Sequence, residues 1–215
     1  MNPKQALKAL RILYPIWMIV GIFSLLYIPS KFITADAGQT ARNILENQLL
    51  FKFGIAGSLF AQLLFIFTVI MLYHLFKSVS QMCTLNMLIF SLVSVPIAMI
   101  STLGSIAALK LASSNEALMM FFLDLNNQGI VIASIFWGLW LLPLGNLVRQ
   151  SGYFPKFIAI ALMIAGAGYF FGSFVKLLLS HPEKIMPVFD ILTLGEVVFI
   201  FWLIIKGAKL PTESK

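Results

Sequence analysis

Glu196 is the acidic residue that sits deepest inside an apolar stretch of this 215-residue chain. In a helix, its distance from Lys206 is about 15 Å, near the middle of a hydrocarbon core about 30 Å thick. An ionised carboxyl at that depth costs roughly 2.5–3.5 kcal/mol on insertion scales, so it is expected to face other helices and not lipid. Two kinds of chemistry suit it: holding a proton, cation or polar ligand, or donating as a neutral acid to a neighbouring helix as structural glue. Gln62 lies about 22 Å from Lys77, within a turn or two of Glu196 in height. Tyr169 is at similar depth, and Trp137 and Trp140 lie too deep for an interfacial belt. Glu196, Gln62, Tyr169, Trp137 and Trp140 are therefore expected to line a small polar site in the membrane. The plainer alternative is that these aromatics only pack.

Other reactive side chains point to less. Lys176 and Asp190 flank the last connection at matching distances, which predicts a structural ion pair near one interface. His74 lies one turn from Lys77 and His181 falls in a polar connection, so the two cannot share one haem iron. His74 reads as an interfacial residue, with a proton relay as the sharper alternative. The cluster Asp124, Asn126, Asn127 and Gln128 reads as a solvated helix junction, or as a ligand site at the mouth of the helices. Cys83 is the one cysteine, so an intramolecular disulfide is excluded. No Ser-His-acid set falls at one depth, and neither a His-Glu-x-x-His motif nor a phosphate-cradling glycine loop is present. An intramembrane enzyme is thus the least supported class, and neither a cofactor nor a metal centre is expected.

These residues must be positioned by membrane helices. The chain is 60% hydrophobic and 11% charged, against about 25% charged in a soluble domain. Six runs are long enough to span: 12–28, 53–76, 85–109, 130–148, 157–179 and 185–205. The expected fold is all-α, a polytopic six-helix bundle in a single membrane domain over 1–215. In the first run, Tyr14 and Tyr27 read as interfacial brackets. That run has a rival reading as a signal peptide, with Ala35-Asp36-Ala37 as the cleavage site. A net charge of +7 does not imply nucleic acid, because the Lys and Arg residues sit singly at the ends of apolar runs. With the N-terminus inside, nine basic residues fall on the cytoplasmic side and six on the other, which favours cytoplasmic termini in a plasma (inner) membrane.

Three tetrads, Asp36–Gln39, Ser113–Glu116 and Ser180–Glu183, have capping-box spacing upstream of the second, fourth and sixth spans. Between the first two spans, Ala37, Ala41, Ile44, Leu45 and Leu49 share one face, so 36–52 is expected to be an amphipathic outer segment. Gly168/Gly172, Ser134/Gly138 and Ala165–Gly168 are close-packing signals between helices. Pro96 and Pro143 fall inside spans, where each frees a carbonyl. The partners expected are the bilayer, a small ligand or ion, and either a second copy or an accessory subunit. The functional reading is a small permease or ligand-binding membrane protein. The alternative is a non-catalytic scaffold.

One region carries more than composition. The run Gly138–Val148 continues into Ser151-Gly152-Tyr153-Phe154-Pro155-Lys156, then Ala165-Gly166-Ala167-Gly168-Tyr169 and Ser173-Phe174. It closes with Leu194-Gly195-Glu196 and Trp202-Leu203-Ile204-Ile205-Lys206-Gly207. Together these resemble a widespread family of bacterial membrane proteins known as domain of unknown function 4386. The resemblance spans nearly the whole chain and is strongest from the fourth helix onward. It implies about six helices and no established activity. The family pattern has an acidic residue after the Gly-Tyr of the fifth helix, where this chain has Gly172, so no charge-based role is carried to that position. The loop also has a local explanation: Gly152 can stop one helix in the left-handed conformation and Pro155 can start the next.

Overall fold

The computed structural model describes residues 1–210, and nearly all of them are helical. In chain order the elements are α1 (Pro3–Ile22), a π-helical turn (Phe23–Tyr27), α2 (Ile28–Phe32), α3 (Ala37–Glu46), α4 (Gln48–Phe76) and α5 (Gln81–Leu111). There follow α6 (Glu116–Ser151), α7 (Lys156–Leu178), a 3-10 turn (Pro182–Lys184) and α8 (Met186–Ile205). Six helical stretches are long and apolar enough to cross a membrane: Pro3–Phe32, α4, α5, α6, α7 and α8. Each contains one of the apolar runs identified above, except that the fifth run reaches one residue past α7 and the sixth starts one residue before α8.

Burial is inverted relative to a water-soluble domain. Large apolar side chains such as Ile19, Phe67, Ile100 and Ile191 lie on the outside, while Thr68, Ser91, Ser94, Thr102, Ser173 and Glu196 are inside. In water an apolar exterior would drive association, whereas in lipid it is the solvated face. The chain has an all-α polytopic membrane fold.

The helices are organised in two packing units. One comprises Met1–Pro15, Ile66–Ser94 and the chain from Ile132; the other comprises Ile16–Phe65 and Val95–Val131. In the second unit, Ile28, Phe32, Ala41, Ile44, Phe51, Ala108, Met119 and Leu123 form one apolar cluster. The π-helical turn packs against α4 there, with Ile28 over Gly54 and Ser24 over Gly57. Gly104 and Gly129 bring α5 and α6 together, and Asn126 donates to the Ser101 carbonyl at 2.7 Å.

In the first unit, α6, α7 and α8 approach through glycine. A Cβ on Gly138 would lie 2.6 Å from the Gly166 carbonyl oxygen, and one on Gly168 would lie 2.8 Å from the Leu192 Cβ. Gly195 meets the Ala161 carbonyl more closely still. These contacts are possible because the residues lack a side chain. Gly152, at φ +66°, ends α6 in the left-handed region, and the Tyr153 N–H donates to Ser151 Oγ at 3.2 Å. Pro155 then precedes α7.

Several local expectations need correction. Asp36 caps α3 by accepting from the Gln39 N–H, but the Gln39 side chain turns to Asn43 instead of completing the box. The cap of α6 is Asn115, whose Oδ1 accepts from the Leu118 N–H at 2.9 Å, not Ser113. Asn forms a stronger cap than Ser two residues too early. Ser180 caps nothing that leads into α8, because the 3-10 turn intervenes and α8 starts beside Pro187 without a side-chain cap. On the 36–52 segment, Ala41 and Ile44 are buried, whereas Leu45 is exposed within α3, and Leu49 is exposed beyond the helix break at Asn47.

Candidate functional site

α8 presents Glu196, Phe199, Ile200 and Leu203 to the interior of the first packing unit at helical spacing. Glu196 is 7% exposed, and its Oε1 has no hydrogen-bond partner among the described residues. Tyr169 of α7 is within hydrogen-bonding range of the Glu196 carboxyl and of Thr193, with Asp190 also close enough to act on it electrostatically. Its ring meets Trp137 of α6 edge-on, centroids 6.2 Å apart. Tyr14 of α1 is fully buried and feels the Glu196 charge; its ring meets Phe199 edge-on at 5.9 Å.

The contrast with the other buried polar groups is informative. Ser91 donates to the Met87 carbonyl at 2.7 Å, Thr102 to Ala98 at 3.1 Å and Ser173 to Tyr169 at 2.8 Å. Each hydroxyl is satisfied by its own helix, the cheapest way to carry a polar group through lipid. Glu196 has no such local solution: a carboxyl at this point of a helix cannot fold back to a free N–H. It must be served from another helix or by something bound.

Of the residues expected to form the site, Glu196, Tyr169 and Trp137 come together. Trp140 is buried on α6, at 1% exposure. Gln62 belongs to the other packing unit, where it is buried with its Oε1 unpartnered among the described residues. His74 Nδ1 is likewise buried without a hydrogen-bond partner among the described residues. The ion pairs seen between described side chains are Arg42–Asp36 at 4.0 Å and His181–Glu183 at 3.2 Å. Lys176 and Asp190 are both exposed, and no ion pair joins them among the described residues.

Tyr14 is the residue that sequence reasoning misplaced. Read as an interfacial bracket, it is instead the buried neighbour of Glu196, whereas Tyr27 is exposed and carries Lys31 over its ring at 5.8 Å. The signal was present: Ala6, Leu10 and Tyr14 recur every four residues and are all buried. Among the described residues, no three His, Cys, Asp or Glu side chains converge as metal ligands.

A membrane-spanning helical protein with one buried carboxyl flanked by tyrosines defines the class. The chain belongs to the family described as "Domain of unknown function (DUF4386)", whose pattern matches residues 12–207. A protein of Archaeoglobus fulgidus described as "Uncharacterized protein" is 42% identical over 76 residues, which is 35% of this chain and 44% of that protein. The chain therefore matches less than half the length of this relative. No solved structure matches.

Proposed function

We propose that this protein binds a proton, a cation or a small polar ligand at a membrane-embedded site centred on Glu196, with Tyr169 and Tyr14 as hydroxyl neighbours, in the manner of a small permease. The observation that carries the reading is the buried Glu196 Oε1 without a protein partner among the described residues. Leaving a buried charged or polar oxygen unserved costs about 1–3 kcal/mol or more, so a bound proton or ligand donor is the economical completion. Trp137 helps to seal the site from the α6 side. Gln62, in the other packing unit, is likewise buried with its Oε1 unserved among the described residues. The membrane is the plasma (inner) membrane, with both termini on the cytoplasmic side, in keeping with the excess of basic residues there.

The scaffold reading is weaker for a specific reason. Its recognition surface would be an outward stripe of small residues, yet Gly138, Gly145, Gly166, Gly168 and Gly195 are taken up by contacts within the chain. The test is native mass spectrometry of protein released from membranes, paired with an infrared titration of the carboxylic-acid band. A bound mass or a titrating acid band present in wild type and lost in Glu196→Gln supports the site. If wild type and Glu196→Gln are alike in both, the reading fails and the carboxyl is structural.

A further inference from the structure

Five helices of the first packing unit, α1, α4, α6, α7 and α8, are tied together near one end by contacts that the Glu196 site does not use. Arg11, two turns into α1, donates from Nε and Nη2 to the Ile204 carbonyl of α8 at 3.1 and 2.7 Å. Beyond α8, the Lys209 N–H donates to the Tyr153 carbonyl in the α6–α7 turn at 2.9 Å. Tyr153 of that turn stacks on Phe76 at the end of α4 and Phe154 meets it tilted, with centroids 5.9 and 6.3 Å away.

Among the described residues, the charges at this end have one sign. Lys8, Arg11, Lys77, Lys156, Lys206 and Lys209 are all exposed there, and no acidic residue occurs in Met1–Pro15, Ile66–Ser94 or the described chain on either side of the α6–α7 turn and after α8. Arg149 is occupied by Asn146 Oδ1 at 2.9 Å. Arg11 is held in place by the α8 carbonyl, with Nη1 3.9 Å from where a Cβ on Gly207 would lie. Arg11 Nε and Nη2 are spent on that carbonyl, which leaves Nη1 to face outward, and the exposed Lys206 and Lys209 stand on either side of Gly207, where the chain leaves α8 at φ +72°. Planar guanidinium next to ammonium groups is the chemistry that recognises phosphate.

A second pattern distinguishes the source of that phosphate. Each basic position adjoins an exposed apolar side chain: Arg11 precedes Ile12, Lys156 precedes Phe157 and Lys206 follows Ile205. A soluble anion has no use for such neighbours, whereas a phospholipid needs both a cationic partner for its headgroup and an apolar wall for its chains. We infer that this end is a binding site for an anionic phospholipid, with Arg11, Lys206 and Lys209 holding the phosphate and Ile12, Phe157 and Ile205 bearing the acyl chains. The site is independent of Glu196 and stands whether or not that carboxyl binds anything.

Native mass spectrometry of the delipidated full chain, titrated separately with phosphatidylglycerol and phosphatidylcholine, tests it. Phosphatidylglycerol should bind at one discrete stoichiometry and outlast phosphatidylcholine on collisional activation. Each basic group near an anionic lipid surface contributes about fivefold, so Arg11→Gln with Lys206→Gln and Lys209→Gln should weaken phosphatidylglycerol roughly a hundredfold. Because Arg11 also ties α1 to α8, the pair Lys206→Gln and Lys209→Gln is the folding-safe variant, with an expected loss of roughly twentyfold. Lys52→Gln with Lys110→Gln, in the other unit, should change nothing. Equal retention of the two lipids, or unchanged binding in the lysine pair, would overturn the inference. So would displacement of phosphatidylglycerol by millimolar inorganic phosphate, which would reassign the site to a soluble anion.

Discussion

Glu196 is the buried carboxyl that sets this protein apart from an inert helical bundle, together with Gln62 and His74, whose Oε1 and Nδ1 are also unpartnered among the described residues. Buried Ser91, Ser94, Thr102 and Ser173 close on their own helices, and Glu196 does not. Tyr169 is the side chain that can donate to it from α7. A hydrogen bond to a charged group is worth about 1.5–3 kcal/mol, so Tyr169→Phe should weaken whatever Glu196 binds by roughly tenfold or more, read by ligand titration or by the infrared acid band. Tyr14→Phe should give a smaller change with the fold intact, because the ring contact with Phe199 is kept. A Tyr169→Phe protein that binds as wild type does would remove Tyr169 from the site. At this scale the sequence was partly readable. Depth counting placed Glu196, Tyr169 and Trp137 near one height, because helical rise is nearly constant. It does not show which way each faces, so by depth alone Tyr14 reads as interfacial, although it is buried against Phe199, and Lys176 reads as the partner of Asp190, although no ion pair joins them among the described residues.

Among elements, the spans were the most legible feature, since an apolar run of about 20 residues has few fates other than a membrane helix. Their ends were less so. Caps depend on which of several adjacent polar residues reaches the first free N–H, and Asn115 wins over Ser113. Asn115→Ala should therefore cost about 1 kcal/mol while Ser113→Ala costs little, measured by thermal unfolding in detergent. The glycines make a sharper pair. A methyl group at Gly195 would collide with the Ala161 carbonyl, whereas one at Gly21 meets nothing within 4 Å. Gly195→Ala should destabilise by about 1–3 kcal/mol through overpacking. Gly21→Ala, in the body of α1, should be neutral or stabilising by about 0.5–1 kcal/mol. Equal melting temperatures for these two variants would contradict the close approach of α7 and α8. The π-helical turn at Phe23–Tyr27 had no legible signal, since one extra residue per turn leaves the apolar pattern nearly unchanged.

For the molecule as a whole, charge asymmetry sets the expectation about sidedness. The ends that gather Lys8, Lys156 and Lys209 carry no described acid, whereas Asp36, Glu116 and Glu183 fall in the opposite connections. With Cys83 replaced by Ser, thiols introduced by Lys8→Cys and Lys209→Cys should resist a membrane-impermeant reagent in intact cells. Those introduced by Ser113→Cys and Ser180→Cys should react. The reverse pattern would invert the topology and place the basic end on the outer surface. Cys83 itself is half-buried and accepts from Asn146 Nδ2 at 3.3 Å, so removing it should leave the fold in place.

The glycine seam between α7 and α8 also bears on how the chain enters a bilayer during synthesis. Gly168, Gly172 and Gly195 let the two helices close on one another with almost no side-chain volume between them. A lone α8 would offer an acidic group to lipid at full insertion cost. A preassembled hairpin offers the lipid mainly Ile160, Ile164, Phe171, Ile191 and Val198, with the carboxyl already turned towards a tyrosine. The last two helices are thus suited to partition as one object, with the polar cargo folded inward before either meets hydrocarbon.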